Sequence, residues 1–205
     1  MTGPDWIGFA LAVLLIELTP GPNMAWLASL ALGDGRKAGL AATAGVALGL
    51  FVNALAAAFG LALIVANSGL VWQLLRWGGA ACMLWLAWEG WHDARENSLG
   101  RVGALRAQRH FLSGLIVNVF NPKAMVFFVV ILPRFNHGEL PTFGQAIALA
   151  GLSIAIATAV HVAIVFAGSG LHRWLADPGK TRVVRRILAL VLVGVAIWLA
   201  VGAQR

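Results

Sequence analysis

The stretch IELTPGPNMAW, from Ile16 to Trp26, places two prolines and a glycine inside an otherwise apolar run. The interior of a helix does not accommodate this pattern, because proline has no backbone N–H and its ring collides with the preceding turn. We therefore expect two half-helices here in place of one continuous helix. An acidic residue, Glu17, lies one turn before the break.

The composition of the chain indicates the solvent that surrounds this broken helix. Of the 205 residues, 60% are hydrophobic and 11% are charged, and the mean hydropathy is +0.84. Soluble domains carry about 25% charged residues, so this chain has more apolar surface than a soluble fold can bury. The apolar runs are also too long for the alternating strands of a membrane barrel. We predict an all-α integral membrane protein.

Six apolar runs approach or exceed the length of about 20 residues that a bilayer requires. They cover residues 6–32, 40–66, 71–92, 111–132, 143–171 and 187–203. We interpret residues 1–205 as a single transmembrane domain. Cys82 is the only cysteine, so an intramolecular disulfide is excluded.

The positive residues predict how the spans are oriented. The first, third and fifth loops together hold eleven Lys and Arg residues, whereas the loops and end on the other side hold three. Because cytoplasmic loops are enriched in these residues, both termini are expected on the non-cytoplasmic side. The charges lie in short loops without a basic and aromatic patch, so no nucleic-acid partner is predicted.

A second break lies in the fourth span, FLSGLIVNVFNPKAMVFFVVIL. Pro122 follows Pro20 by 102 residues, which is half the chain. Three spans precede the long cytoplasmic linker 93–110 and three follow it, which inverts the second half relative to the first. We predict two inverted three-helix repeats, about 1–95 and 108–205, with helices 1 and 4 broken at mid-membrane.

Both breaks offer groups that suit a zwitterionic amino acid. The prolines leave the carbonyls of Ile16, Leu18 and Asn118 without helical partners, and such carbonyls can accept hydrogen bonds from an ammonium. Each break also begins a half-helix whose N-terminus favours a carboxylate, and Asn121 is a suitable N-cap. The alternative is that the prolines only kink the helices for packing. The predicted substrate-binding residues are Pro20, Gly21, Pro22, Asn23, Asn118, Asn121, Pro122 and Lys123.

Three ionisable residues at mid-membrane depth are candidates for proton coupling. Lys123 is costly in the bilayer centre unless it faces the protein interior, and Glu17 is the acidic residue at comparable depth. We expect the two to approach each other or to share a water or substrate, either as a proton switch or as a permanent ion pair that fixes packing. His161 in the fifth span can relay protons or bond to a neighbour. No metal or cofactor site is predicted, because no ligand cluster has the spacing for one.

The motifs LTPGPNM, GRKAGLAATAGVALG, GGAACMLWLAWEGW and GLIVNVFNPKAMVFFVVILPRF resemble those of the lysine exporter (LysE) and RhtB family. The resemblance covers nearly the whole chain. It implies six helices in the bacterial inner membrane, a homodimer, and export of amino acids or homoserine-type derivatives in exchange for protons. It assigns the first motif to Pro20, Gly21, Pro22 and Asn23, and the second to Asn121, Pro122 and Lys123.

The chain departs from the family pattern at two positions. Many members have an aspartate where this chain has Asn23, and we hypothesise that Glu17 compensates for it. The fifth span of relatives often bears an acidic residue, where this chain has His161 as its ionisable group. A metal-cation exporter of the same superfamily and a membrane enzyme are the alternatives. The sequence shows neither the cluster of metal ligands that the first would need nor the nucleophile and base that the second would need.

Overall fold

A computed structural model of the chain describes residues 4–19, 22–58, 68–93, 103–121, 123–124, 127–128, 135, 142–174 and 178–202. Within these ranges seven α-helices have both ends described, short helical stretches occur at residues 123–124 and 127–128, and no strand occurs. The all-α prediction is therefore confirmed for the described residues. The helices are α1 (Trp6–Leu18), α2 (Pro22–Asp34), α3 (Arg36–Ala58), α4 (Gly69–Asp93), α5 (Gly103–Val119), α6 (Phe143–Trp174) and α7 (Pro178–Gly202).

Part of the predicted set of spans is found among these helices. Residues 36–57 of α3 and 143–170 of α6 are each long and apolar enough to cross a bilayer. Helices α1 and α2 form a third span if they are counted together, and they meet at an angle of 58°. Residues 186–198 of α7 form a shorter apolar helix. The full set of six spans and its inverted repeat stay predictions.

The end of α1 follows from the proline beyond it. Asp5 caps the start of this helix, where its carboxylate accepts a hydrogen bond from the Gly8 N–H at 2.9 Å. The helix ends at Leu18, and Thr19 is extended, with φ −72° and ψ 120°. A residue before proline avoids the helical conformation because the proline ring collides with it. Pro20 therefore fixes the end of α1 through its neighbour.

The corner between α2 and α3 consists of one residue. Gly35 has a φ of 85°, a left-handed conformation that glycine adopts without the steric cost of a Cβ atom. Its N–H donates to the carbonyl of Ala31 at 3.1 Å, which satisfies one carbonyl at the end of α2. The second span therefore begins directly after the first.

Helices α3 and α5 pack at backbone distance. A Cβ atom at Gly45 of α3 would overlap the carbonyl oxygen of Phe111 in α5, and one at Gly114 of α5 would overlap that of Ala42. Small residues permit such an approach in membranes. Gly45 and Gly49 form a G-x-x-x-G pattern, which by itself is compatible with packing against the first helix or with a dimer contact, and in the structure both glycines lie against α5. This packing places the end of α5 beside the middle of α3.

The other helices complete the bundle. Both α1 and α2 pack on α6, α3 also packs on α6, and α4 packs on α7. The buried apolar residues form one cluster that draws on helices from both halves of the chain. Helices on both sides of the first break and the helix before the second break therefore contribute to one continuous core.

Candidate functional site

The carbonyl groups freed at the first break accept hydrogen bonds from a side chain of the second. The Lys123 ammonium donates to the carbonyl oxygen of Ile16 at 2.6 Å and to that of Thr19 at 3.1 Å. The Ile16 carbonyl is one of those that the sequence predicted to be free to receive an ammonium. In this conformation that ammonium belongs to the protein.

The carbonyl freed at the second break accepts from a neutral amide. Asn53 of α3 donates through Nδ2 to the carbonyl oxygen of Asn118 at 3.0 Å, and the Asn121 N–H donates to the same oxygen at 3.0 Å. The Asn53 bond joins two different helices, since Asn118 lies on α5. This bond is possible because α3 and α5 approach so closely.

Asn121 has the hydrogen bond of an N-cap. Its Oδ1 accepts from the Lys123 N–H at 3.0 Å, two residues along the chain. This is the bond that an Asn–Pro pair at a helix start predicts, because the side-chain oxygen replaces a missing helical acceptor. The cap fixes the direction in which the chain leaves the second break, and it places Lys123 near α1.

A hydrogen bond between two side chains also joins the two breaks. Asn23 Nδ2 donates to Asn118 Oδ1 at 2.6 Å, and both residues are buried, at 6% and 0% exposure. The other amide atoms of this pair, Asn23 Oδ1 and Asn118 Nδ2, are buried without a hydrogen-bond partner. Buried polar atoms are rarely left unpaired. The pair therefore offers one unpaired acceptor, Asn23 Oδ1, and one unpaired donor, Asn118 Nδ2, between the two breaks.

Glu17 lies beside His161 of α6. Its Oε2 lies 3.7 Å from Nε2 of His161, and His161 is 3% exposed with its Nδ1 unpaired. The sequence suggested a direct approach of Glu17 and Lys123. The two side chains line the same cavity and interact electrostatically, while the Lys123 ammonium donates its hydrogen bonds to the carbonyls at the end of α1. A shared water or substrate between the two residues stays a prediction.

An internal cavity gathers these groups. Its polar lining comprises Glu17, Asn23, Asn118, Asn121, Lys123, Ser153 and His161. Its apolar lining comprises Val13, Ile16, Met24, Leu50, Ala124, Phe127, Phe128 and Ala157. The cavity measures about 30 Å³, and a water molecule requires about 10–15 Å³ measured in this way. In this conformation it has room for roughly two waters and is too small for an amino acid.

The described part of the predicted site thus lies around one cavity. Pro20, Gly21 and Pro122 lie outside the described residues, and Pro22 is the first residue of α2 without a described side chain. Whether the site residues bind substrate stays a prediction.

Sequence reasoning did not find the aromatic wall of Phe127 and Phe128, whose rings pack edge to face with centroids 5.2 Å apart. Their spacing of four and five residues from Lys123 was the available signal. In the described part of the chain, no group of three or more His, Cys, Asp or Glu residues gathers as a metal site would.

A comparison with protein families now identifies the chain. The model of the LysE type translocators matches residues 14–203. The chain belongs to this family. A LysE translocator is a membrane transport protein.

The similarity to individual LysE translocators extends over most of the chain. It is 25% identical over 187 residues to the homoserine/homoserine lactone efflux protein of Salmonella typhimurium, with 91% of each chain covered. It is 25% identical over 196 residues to the leucine efflux protein of an Enterobacter species, with 94% of this chain and 93% of the relative covered. The threonine efflux protein of Escherichia coli is 26% identical over 138 residues, covering 65% and 67%. No solved structure matches.

Proposed function

We propose that this protein exports amino acids or close derivatives from the cytoplasm as a secondary transporter, in exchange for protons. The observation that carries the proposal is the cavity between the two helix breaks, which holds an ammonium, a carboxylate, an imidazole and unpaired amide atoms. These groups are complementary to the carboxylate and ammonium of an amino acid. The relatives named as efflux proteins for homoserine, leucine and threonine support the same substrate class.

The packing of the helices supports two inverted repeats. If the halves are exchanged, the packing of α1 and α2 on α6 corresponds to that of α5 on α3, and the α4 and α7 pair maps onto itself. The polar contacts follow the same exchange, since His161 of the fifth span meets the first break and Asn53 of the second span meets the other. In inverted-repeat transporters the substrate site lies between such repeats.

Proton exchange is proposed for the pair Glu17 and His161, with Lys123 as the third charged group of the same cavity. A proton that binds to this pair changes the charge of a site that also holds the substrate. Substrate and proton would then compete for the same charged groups, which is the requirement for antiport. Three ionisable residues inside a membrane protein are otherwise costly to maintain.

The direct test of the function is export by the purified protein in liposomes. Vesicles loaded with single labelled amino acids, including homoserine, threonine and leucine, should lose at least one of them more quickly than empty vesicles. An inward proton gradient should accelerate this loss. If no amino acid or close derivative leaves more quickly with the protein present, the proposed function is wrong.

Proton coupling is tested by Glu17→Gln, which removes the carboxylate and retains its shape. We expect the rate of export by this variant to become nearly independent of pH between 5 and 8, because one partner of the proton-binding pair is lost. Asp34→Asn is the matched control, since it removes an exposed carboxylate at the end of α2, outside the cavity lining. A pH profile of Glu17→Gln that matches the wild type would exclude this role.

The positive residues of the first, third and fifth loops support an orientation with both termini outside the cytoplasm. A small tag at either terminus should then be accessible to a protease or antibody added to intact spheroplasts. A homodimer in the bacterial inner membrane stays a prediction, and the mass of the purified protein in detergent would test it.

A further inference from the structure

The contact between Lys123 and the end of α1 has the chemistry of a binding site for a primary ammonium. Two backbone carbonyls, of Ile16 and Thr19, accept from one Nζ at 2.6 and 3.1 Å. The C-terminal end of a helix carries partial negative charge, which favours a cation there. A primary ammonium has three N–H donors whether it belongs to a lysine side chain or to a free molecule.

The two carbonyls of Ile16 and Thr19 belong to the backbone and contact only the ammonium group. They therefore do not distinguish the lysine side chain from another primary ammonium. The substrate class proposed above has an ammonium with the same charge and the same three donors. Without Lys123, the Ile16 carbonyl keeps one donor, the Thr19 N–H at 3.1 Å, and has one lone pair free, whereas the Asn118 carbonyl accepts from both Asn53 and Asn121. A cavity of about 30 Å³ also has no room for a second ammonium with its carbon skeleton beside Lys123.

We propose that Lys123 is a tethered occupant of the substrate's ammonium site. This inference rests on the proposed function. The substrate ammonium replaces Nζ at the carbonyls of Ile16 and Thr19, and the displaced Lys123 turns towards the carboxylate of Glu17. When the substrate leaves, Lys123 returns and closes the site. Lys123 thereby determines how tightly an ammonium substrate binds.

The exchange leaves the interior charge balanced. Before it, the carbonyls hold one ammonium, and after it they hold another, while Lys123 gains a carboxylate partner. No additional uncompensated cation enters the membrane interior, which would be costly. The apparent affinity of the substrate equals its intrinsic affinity multiplied by the fraction of time for which Lys123 has left the carbonyls. If Lys123 leaves the carbonyls about one-tenth of the time, the reduction is about tenfold.

The experiment uses ethylammonium as a probe for the carbonyl pair and does not depend on transport. Purified full-length protein in detergent is heated with ethylammonium chloride or with tetramethylammonium chloride at equal concentration. The second salt has the same charge and no N–H donor. Three proteins are compared, namely the wild type, Lys123→Met and Lys37→Met. Lys37 is an exposed lysine on α3, outside the cavity lining, and serves as the matched control.

We expect ethylammonium to raise the unfolding midpoint of Lys123→Met by about 2–4 °C, because a ligand that binds only the folded state stabilises it. Tetramethylammonium should have no such effect, and neither salt should shift the wild type or Lys37→Met. Equal responses of all three proteins, or of Lys123→Met to both salts, would overturn the inference.

Export assays provide the second measurement. If the wild type exports an amino acid, the KM for that substrate should fall about tenfold in Lys123→Met, whereas a merely structural lysine would leave KM unchanged or raise it. If the wild type exports nothing, the proposed function fails while the ethylammonium result still decides whether the carbonyl pair is an ammonium site.

A third measurement uses the wild type alone, in case Lys123→Met does not fold. The wild type should reject the 2-hydroxy acid and the N-trimethylated analogue of its substrate, because neither can donate as a primary ammonium. Export of either analogue with a kcat/KM similar to that of the amino acid would contradict the proposal.

Discussion

Each of the two helix breaks leaves a backbone carbonyl without its helical N–H donor, and different side chains donate to the two carbonyls. At the first break, the Ile16 carbonyl accepts from the ammonium of Lys123, which belongs to the other half of the chain. At the second, the Asn118 carbonyl accepts from the amide of Asn53 on a neighbouring helix. The side-chain donor at the first break is therefore the charged end of a long, flexible lysine, and the donor at the second is the neutral amide of a shorter asparagine.

This difference separates a replaceable partner from a fixed one. A lysine side chain has several rotatable bonds, and any other ammonium can take its place. An asparagine on a closely packed helix has little freedom, and no substrate group is needed to replace it. We infer that the first break is the part of the cavity that exchanges ligands and that the second is its support.

The packing beneath the breaks shows the same contrast. The helix before the second break lies against the backbone of α3 at Gly45 and Gly114. On α6, which packs against the α1 and α2 pair, a Cβ atom at Gly168 would lie 3.1 Å from Cβ of Ala31, a contact that a small shift relieves. The second break is thus more rigidly supported than the first.

The largest effect on stability is expected when the close packing of α3 and α5, which supports the second break, is disrupted. Gly45→Ala should lower the free energy of unfolding by about 3 kcal/mol, because the new methyl group overlaps the backbone of α5 and overpacking is costly. Gly168→Ala should cost less than about 1 kcal/mol, since a shift of a few tenths of an ångström relieves its contact with Ala31. The measurement is thermal unfolding in detergent.

Gly151→Ala serves as the background control for this pair, because no atom lies near a Cβ atom there. If Gly45→Ala were as stable as Gly168→Ala, the contrast in packing between the two breaks would not hold.

A smaller effect is expected when the neutral partner of the second break is removed. Asn53→Ala should lower the free energy of unfolding by about 1–2 kcal/mol, because the buried Asn118 carbonyl loses a hydrogen bond. The KM for the exported amino acid should stay near the wild-type value, in contrast to Lys123→Met.

Thr43→Ala is the matched control for Asn53→Ala, since Thr43 is also buried on α3 but bonds within its own helix, to the Gly39 carbonyl at 2.9 Å. A large change of KM in Asn53→Ala would show that the second break also exchanges ligands, and the comparison would then need revision.

The smallest expected effect concerns the bond that joins the breaks. A double-mutant cycle with Asn23→Ala and Asn118→Ala should give a coupling energy of about 0.6 kcal/mol, a usual value for a hydrogen bond between membrane helices. The free energy of unfolding in detergent provides the four values of the cycle. A coupling energy of zero would mean that the amides do not connect the breaks energetically.

Much of the local chemistry at the breaks could be predicted from the sequence. Pro20 implied that α1 ends before it, and the Asn121 and Pro122 pair implied the N-cap bond to Lys123. The freed carbonyl of Ile16 and its affinity for an ammonium follow from the missing proline N–H. Each of these effects acts over a few residues, through covalent geometry.

The partners across helices could not be predicted in the same way. Glu17 was matched with Lys123 because both are charged at similar depth, but the sequence did not show that His161 Nε2 would lie 3.7 Å from the Glu17 carboxylate. Similarly, the Gly45 and Gly49 pair showed that a helix would approach closely, but not that the helix would be α5. The spacing of small residues shows which face of a helix can be approached closely, but it does not show which other helix packs against that face.

The membrane location of the protein, the positions of its helix breaks and the carbonyls that lose a helical N–H donor could all be read from the sequence. These properties depend on composition and on the covalent structure of proline. The tertiary structure decided which groups satisfy the freed carbonyls, namely Lys123 at one break and Asn53 at the other. That choice depends on how closely the helices approach and how they are rotated, because a hydrogen bond requires its two atoms to lie within about 3 Å of each other.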